Sequence, residues 1–262
     1  MIFPKKSLGQ NFLIDLNIIK KIIHTTKISN KNILEIGPGK GALTDEIIKN
    51  NPKSLTLIEK DHSLSKNLEL KYKKNKKVKI YCKDILDFNF ENKIKSNSII
   101  FGNLPYNISS QILAKIIKFK IWPPKFNSII FMFQKEVADK ISGKYKTSKY
   151  GRLSILTNYR LKIINRFNVS ANCFFPKPKV ESVILHFTPK INVTETKIKN
   201  IENLEKITNI FFSNKRKMIN KNIKKIFNSK QSKLIKNLNL QSRPSDLSPA
   251  QYYEITALFE KI

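Results

Sequence analysis

A Rossmann-like α/β sheet followed by a small all-helical domain is the fold class predicted for this 262-residue chain, on three observations. Short apolar runs alternate with helical patterns from Asp15 to about Phe133, the rhythm of a parallel sheet with helices on both faces. One junction is a glycine turn, Gly37-Pro38-Gly39-Lys40-Gly41, of the kind that opens a nucleotide-binding unit. Past Thr188-Pro189-Lys190 the texture turns polar and then helical.

Asp15 is placed to cap a first helix whose apolar positions are Ile18, Ile19, Ile22 and Ile23. Asn32–Ile36 is a short apolar strand running into the glycine turn, and a helix with Leu43, Ile47 and Ile48 follows. Further strands are expected at 54–58, 78–81, 98–101 and 128–133, with a helix from Gln134 to about Ile141. Arg160–Val169 and Val180–Phe187 read as two late strands, the second alternating through Val183, Leu185 and Phe187. Residues 190–199 form a linker, so the domains divide as 1–189 and 190–262. Ser213–Phe227 has the pattern of a helix with Ile219, Ile223 and Ile226 on one stripe and Lys217, Lys221 and Lys224 opposite. Ser248-Pro249-Ala250-Gln251 carries a cap, a proline at the first helical position and a capping-box glutamine, and opens the last helix.

Chemistry concentrates at the ends of the early strands. The glycines at 37, 39 and 41 let backbone approach a ligand closely. Glu59, about twenty residues past the turn, is placed to accept bonds from ribose hydroxyls. Asp84, after the third strand, is placed to accept from an adenine amino group. Glu35 either meets a ligand amino group or orients the glycine turn, and both readings stand. With Ala42 the turn also satisfies the looser dinucleotide pattern, so a nicotinamide enzyme fits these features equally well.

The fourth strand separates the two readings. It runs into Gly102-Asn103-Leu104-Pro105-Tyr106-Asn107, for which hydride transfer has no use. Pro105 disfavours helical geometry at Leu104 and so holds the Leu104 carbonyl in an extended turn. Asn103 offers a second acceptor in its side-chain oxygen, and Tyr106 offers a flat face. Two acceptors beside a stacking ring suit the exocyclic amino group of adenine. Joined to a bound methyl donor, they make a base methyltransferase.

Bulk properties narrow the setting. No apolar run approaches membrane-spanning length, and Lys5 and Lys6 are not followed by the apolar stretch of a secretory signal. Cys82 and Cys173 lack metal-ligand spacing, His24, His62 and His186 are scattered, and two cysteines suit a reducing cytoplasm. No metal site is expected. Cys82 reads as a small buried strand residue, and Phe175 as core or as packing against Pro178. The net charge of +31 points to a polyanion partner. Arginine occurs only at Arg152, Arg160, Arg166, Arg216 and Arg243, so lysine carries nearly all of that charge. With isoleucine and asparagine also abundant, part of the lysine reflects base composition, and nucleic-acid binding has to rest on placed residues.

The chain resembles the ribosomal RNA adenine dimethyltransferase family along nearly its whole length. The resemblance is carried by Lys6-Ser7-Leu8-Gly9-Gln10-Asn11-Phe12-Leu13, Glu35-Ile36-Gly37-Pro38-Gly39 and Gly102-Asn103-Leu104-Pro105-Tyr106-Asn107-Ile108-Ser109. Phe133-Gln134-Lys135-Glu136-Val137, Tyr150-Gly151-Arg152-Leu153-Ser154, Phe174-Phe175-Pro176-Lys177-Pro178-Lys179-Val180-Glu181-Ser182 and Leu247-Ser248-Pro249-Ala250-Gln251-Tyr252 follow in family order.

That resemblance implies S-adenosylmethionine as methyl donor, contacted by Asn11, Leu13, Gly37, Glu59, Asp84 and Asn103. It implies a catalytic set of Asn103, Leu104, Tyr106 and Phe174, with Tyr106 and Phe174 sandwiching a flipped base. The matching branch dimethylates two adjacent adenosines in a hairpin near the 3′ end of 16S rRNA. A monomer acting on the immature small ribosomal subunit is expected. A related branch methylates large-subunit RNA and confers resistance; the helical tail and the Phe-x-Pro-x-Pro segment favour the first. Lys215 and Asn220 stand where relatives often carry arginine, which bears on RNA contacts rather than on the chemistry. Two rivals from other classes are a DNA adenine methyltransferase, with a proline where Leu104 stands, and a non-catalytic ribosome-assembly factor.

Overall fold

A computed structural model describes residues 4–5, 8–191, 196–232, 234–235 and 238–262. Lys6 and Ser7 of the first motif and residues 192–195 of the expected linker lie outside the described residues. The chain forms two compact units, one of residues 1–138 and 163–189, the other of 139–162 and 190–262.

The first unit is built on a seven-stranded sheet. After β1 (Phe12–Leu13) and α1 (Leu16–Ile23) come β2 (Asn32–Ile36), α2 (Ala42–Lys49), β3 (Ser54–Glu59), α3 (His62–Tyr72) and β4 (Val78–Cys82). Next are β5 (Ser98–Asn103), α4 (Ser109–Ile117), β6 (Phe126–Gln134) and α5 (Lys135–Ile141). Then follow α6 (Arg152–Arg160), which belongs to the second unit, β7 (Leu161–Val169), β8 (Phe174–Phe175) and β9 (Ser182–Pro189). The strand order is β4-β3-β2-β5-β6-β9-β7, with β4 through β6 parallel and β9 antiparallel to β6.

Central strands read as unbroken apolar runs because both faces are covered. Ile99, Ile100 and Phe101 of β5 are all buried. One face packs Ile33, Leu55, Leu57, Ile99, Phe101, Ile130 and Met132 against Ile19, Ile22 and Ile23 of α1, Leu43 and Ile47 of α2 and Leu68 of α3. Asp15 caps α1 as expected, accepting from the Ile18 amide at 3.0 Å.

Three expectations are corrected. Cys82 is exposed, because it ends the edge strand β4, past Val78 and Ile80 of the same face, which pack against the core. Phe175 is 54% exposed instead of packed, while Phe174 is 3% exposed and sits in the core. Both belong to a two-stranded ribbon in which β1 pairs antiparallel with β8, Phe12 opposite Phe175 and Leu13 opposite Phe174. The third lies in the second unit. There α7 (Ile201–Phe212) ends before the expected amphipathic helix, and α8 (Asn220–Ile226) is shorter than its pattern. Ile219 and Ile223 are buried and Lys217, Lys221 and Lys224 exposed, but Lys217 precedes the helix. The unit closes with α9 (Ser229–Ser232) and α10 (Pro249–Phe259). The α10 capping box forms as predicted, Ser248 Oγ accepting from the Gln251 amide and Gln251 Oε1 from the Ser248 amide.

Candidate active site

The carboxyl ends of β2, β3 and β5, with the loop after β4, open on a cavity of about 480 Å³, where open α/β sheets bind ligands. The segment from Leu8 to Ile14 walls it as well. Two side chains tie that segment down: Lys5 Nζ lies 2.8 Å from Asp61, and Gln10 Nε2 donates to the same carboxylate at 3.3 Å. Asp61 caps α3 through the amides of Ser63 and Leu64. Burial raises its pKa, but Lys5 and those amides outweigh it, so the carboxyl stays below its usual range.

Gly39 has φ +60°, and an added Cβ would stand 3.0 Å from the Phe12 ring, so the turn and β1 meet only through a glycine. The Gly39 amide donates to Glu59 Oε2 at 3.0 Å, and the Asp61 amide to Glu59 Oε1 at 2.9 Å. Glu59 is thus aimed into the cavity by backbone donors while burial raises its pKa. Glu35 lies deeper, with Thr44 Oγ1 donating to Oε2 at 2.7 Å, and burial pushes its pKa up to about 8. It bonds a side chain of α2 and also lines the cavity, so one residue serves the turn and faces the ligand space.

Asp84 receives the Leu86 amide on Oδ1 at 2.9 Å and pairs with Lys60 through Oδ2 at 2.7 Å. Partial burial raises its pKa, but the Lys60 bond and the Leu86 amide more than offset this and hold it low. Its loop is gripped from α4, where Lys115 Nζ bonds the carbonyls of Ile85 and Leu86.

The hexapeptide closes the far wall. Leu104 folds back into the core, 2% exposed, over Gly102, where an added Cβ would meet Leu104 Cδ2 at 2.7 Å. Among the described residues no group donates to the Leu104 carbonyl. Asn103 Nδ2 donates to the Asn11 carbonyl at 3.3 Å, which leaves Oδ1 as an acceptor. Tyr106 is half-buried and its hydroxyl meets Ser182 Oγ at 2.6 Å, fixing the ring plane. Burial raises the Tyr106 pKa against the opposing pull of Ser182, so the ring stays neutral.

Asn11, Leu13, Gly37, Glu59, Asp84, Asn103, Leu104 and Tyr106 therefore all line one cavity. Phe174 does not reach that wall; it sits beneath it, opposite Leu13. Lys60, Lys115 and Thr44 have no local sequence signal and emerge only from the fold. Among the described residues no group of three or more His, Cys, Asp or Glu is placed to hold a metal, and no helix is long and apolar enough to cross a membrane.

Comparison with known proteins follows the same line. The family model for ribosomal RNA adenine dimethylase matches residues 3–261. A ribosomal RNA small subunit methyltransferase A of Pelagibacter ubique (strain HTCC1062) is 44% identical, covering 98% of this chain and 97% of the relative. The protein of that name from Malacoplasma penetrans (strain HF-2) is 41% identical over 86% of this chain and 79% of its own length. Among solved structures, a dimethyladenosine transferase from Plasmodium falciparum superposes with a TM-score of 0.76 at 25% identity, covering 95% and 98% of the two chains. The 23S rRNA methyltransferase ErmE superposes with a TM-score of 0.67 at 22% identity over 96% and 99%, a likeness of fold alone.

Proposed function

The chain belongs to the ribosomal RNA adenine dimethylase family, and from that premise we propose how this cavity and its Asn-Leu-Pro-Tyr wall work on their substrate. The protein is an rRNA adenine dimethyltransferase of the small-subunit kind. Its targets in this reading are two adjacent adenosines in a hairpin near the 3′ end of 16S rRNA, methylated on N6 within an immature subunit. It acts as a cytoplasmic monomer.

S-adenosylmethionine brings an already activated methyl group, so the chain's own task is alignment and exclusion of water. The residues present suit such a donor. Glu59 is an oriented acceptor for ribose hydroxyls, Asp84 an ionised acceptor for an adenine amino group, and Glu35 a buried partner for an ammonium. Asn11, Leu13 and Gly37 complete the wall.

The adenine N6 lone pair is delocalised into the ring and is a weak nucleophile. Asn103 Oδ1 and the Leu104 carbonyl accept its hydrogens and favour a tetrahedral nitrogen whose lone pair faces the donor. Tyr106 supports the base, which must leave its stack to enter. Phe174, buried opposite Leu13, contributes from below by fixing the ribbon. We assign transfer to residues 1–189 and RNA holding to the helices after 190.

The observation that carries this reading is the orientation of Asn103, whose nitrogen is committed to Asn11 while, among the described residues, nothing donates to its oxygen or to the neighbouring Leu104 carbonyl. The test is transfer of labelled methyl to small subunits lacking the modification, followed by mass spectrometry of the 16S RNA. Dimethyladenosine in the 3′ hairpin is expected. Label in large-subunit RNA or duplex DNA, or none at all, overturns the assignment.

A further inference from the structure

Phe175 is the one exposed phenylalanine among the described residues, and the ribbon that carries it borders the cavity. Directly opposed residues of an antiparallel pair share a face, so Phe175 lies on the side of Phe12, while Phe174 and Leu13 take the core side. Phe12 lines the cavity and carries Lys40 over its ring at 4.9 Å. Two residues on, Ile14 continues the ladder, its amide donating to the Cys173 carbonyl at 2.9 Å. Ile14 is 56% and Leu16 66% exposed, and both line the cavity rim. Ile14 and Phe175 thus form an apolar strip that continues the ligand space outward.

Charge surrounds that strip. Lys177 and Lys179 are exposed just beyond Phe175, and Lys40 is exposed at the rim. The segment they occupy is held at both ends, by pairing of Phe174 with Leu13 and by the Ser182–Tyr106 bond. A flat ring on a fixed backbone, flanked by cations, suits a nucleobase whose phosphates run along the lysines. We propose that Phe175 stacks on the nucleobase flanking the adenosine under attack, making it a specificity-determining residue for single-stranded RNA at the cavity mouth. This rests on the RNA reading above. Because the two targets are adjacent in that reading, the base held by Phe175 is in one register the second adenosine awaiting its turn.

The test uses the full chain as wild type, Phe175→Ala, Phe175→Leu and Phe175→Trp, with unmodified small subunits as substrate. A synthetic 3′-hairpin RNA carrying 2-aminopurine beside a target adenosine serves as the fluorescent probe. Base–aromatic stacking predicts about a 5- to 150-fold rise in KM for RNA in the alanine variant. The donor Kd should stay unchanged, 2-aminopurine quenching should be lost, and Trp but not Leu should restore both readouts. Rescue by Leu as good as by Trp, or an unchanged KM and quenching, overturns the proposal. So does altered self-association without altered RNA binding, which would make the strip a contact between copies. Wild-type protein that transfers no methyl to the subunit overturns the underlying function instead, a result the wild-type control shows separately.

Discussion

Asn103 hands its amide nitrogen to the main-chain carbonyl of Asn11, 3.3 Å away and 92 positions earlier in the chain. That bond joins the motif wall to the segment that Lys5 and Gln10 fasten to Asp61. Asn103→Ala removes an acceptor for the attacking amino group and is expected to cut kcat by at least about two orders of magnitude, in the range of losing one oriented polar group in an active site. RNA binding should change only a few-fold, as filter binding alongside tritium transfer will show. Asn103→Asp retains an acceptor but cannot donate to Asn11, and is expected to weaken donor binding as well. Equal loss of RNA affinity and transfer in the alanine variant would place Asn103 outside the chemistry.

Glu35 makes the apoprotein's stability depend on pH. Its folded pKa of about 8 exceeds the ordinary 4.5, so the folded state holds a proton that the unfolded chain releases. Such a group contributes its full stability below about pH 4.5 and loses it as pH rises through about 8. Glu35→Gln, similar in volume and never charged, should melt at nearly the wild-type temperature at pH 5 and above it at pH 8. Binding of a cationic donor favours the ionised carboxylate, so calorimetry at pH 7 in buffers of different ionisation enthalpy should detect proton release in the wild type and none in the variant. A wild-type melting curve that is flat with pH would show that the group is solvated.

Lys60 keeps Asp84 ionised. Partial burial alone would raise the carboxyl, and the 2.7 Å pair with Lys60 reverses that, so the folded value lies below 3.8. Asp84 itself should contribute no loss of donor affinity until pH falls below its ordinary range, so any wild-type decline above that range belongs to Glu35 and Glu59. In Lys60→Gln only the Leu86 amide and Lys115 still oppose burial, so the carboxyl moves up and the donor Kd should climb more steeply than the wild type's as pH falls. Asp84→Asn is expected to raise the donor Kd at every pH, by about ten-fold for one charge-assisted bond. Identical pH profiles for wild type and Lys60→Gln would remove Lys60 from this role.

What the sequence made visible depended on how local the signal was. β2, β3, β5 and β6 were legible because burial on both faces writes unbroken apolar runs, and α10 because a capping box lies within four residues. The β1–β8 ribbon was not. Two residues a strand carry no periodicity, and the pairing of Phe12 with Phe175 spans most of the chain. For the same reason the relative exposure of Phe174 and Phe175 could not be read, since alternation assigns opposite faces without saying which is core. Glu59 and Asn103 stood out because glycine-turn spacing and a hexapeptide mark them, and Asp84 because it follows a strand, whereas Lys60 and Lys115, which hold Asp84 and its loop, and Ser182, which holds Tyr106, are set by tertiary contact.

The lysines of the second unit provide the remaining prediction. Ile219 and Ile223 are buried while Lys217, Lys221 and Lys224 are exposed, Lys221 and Lys224 on α8 and Lys217 in the bend before it. A broken row of this kind meets phosphates at fewer points than a continuous helical ridge, because Lys217 is not held at the helical spacing. Each phosphate neutralised by a lysine releases condensed counterions and steepens the salt dependence of binding by roughly 0.7 to 0.9 per contact. Replacing all three by glutamine should flatten the slope of log K against log salt by two to three contacts, about 1.4 to 2.7 in all, with transfer at saturating RNA unchanged. Replacing Lys221 and Lys224 alone should account for most of that change if the helix is the tracking element. An unaltered slope in the triple variant would mean that these side chains face only water, and that the basic excess there reflects base composition rather than RNA contact.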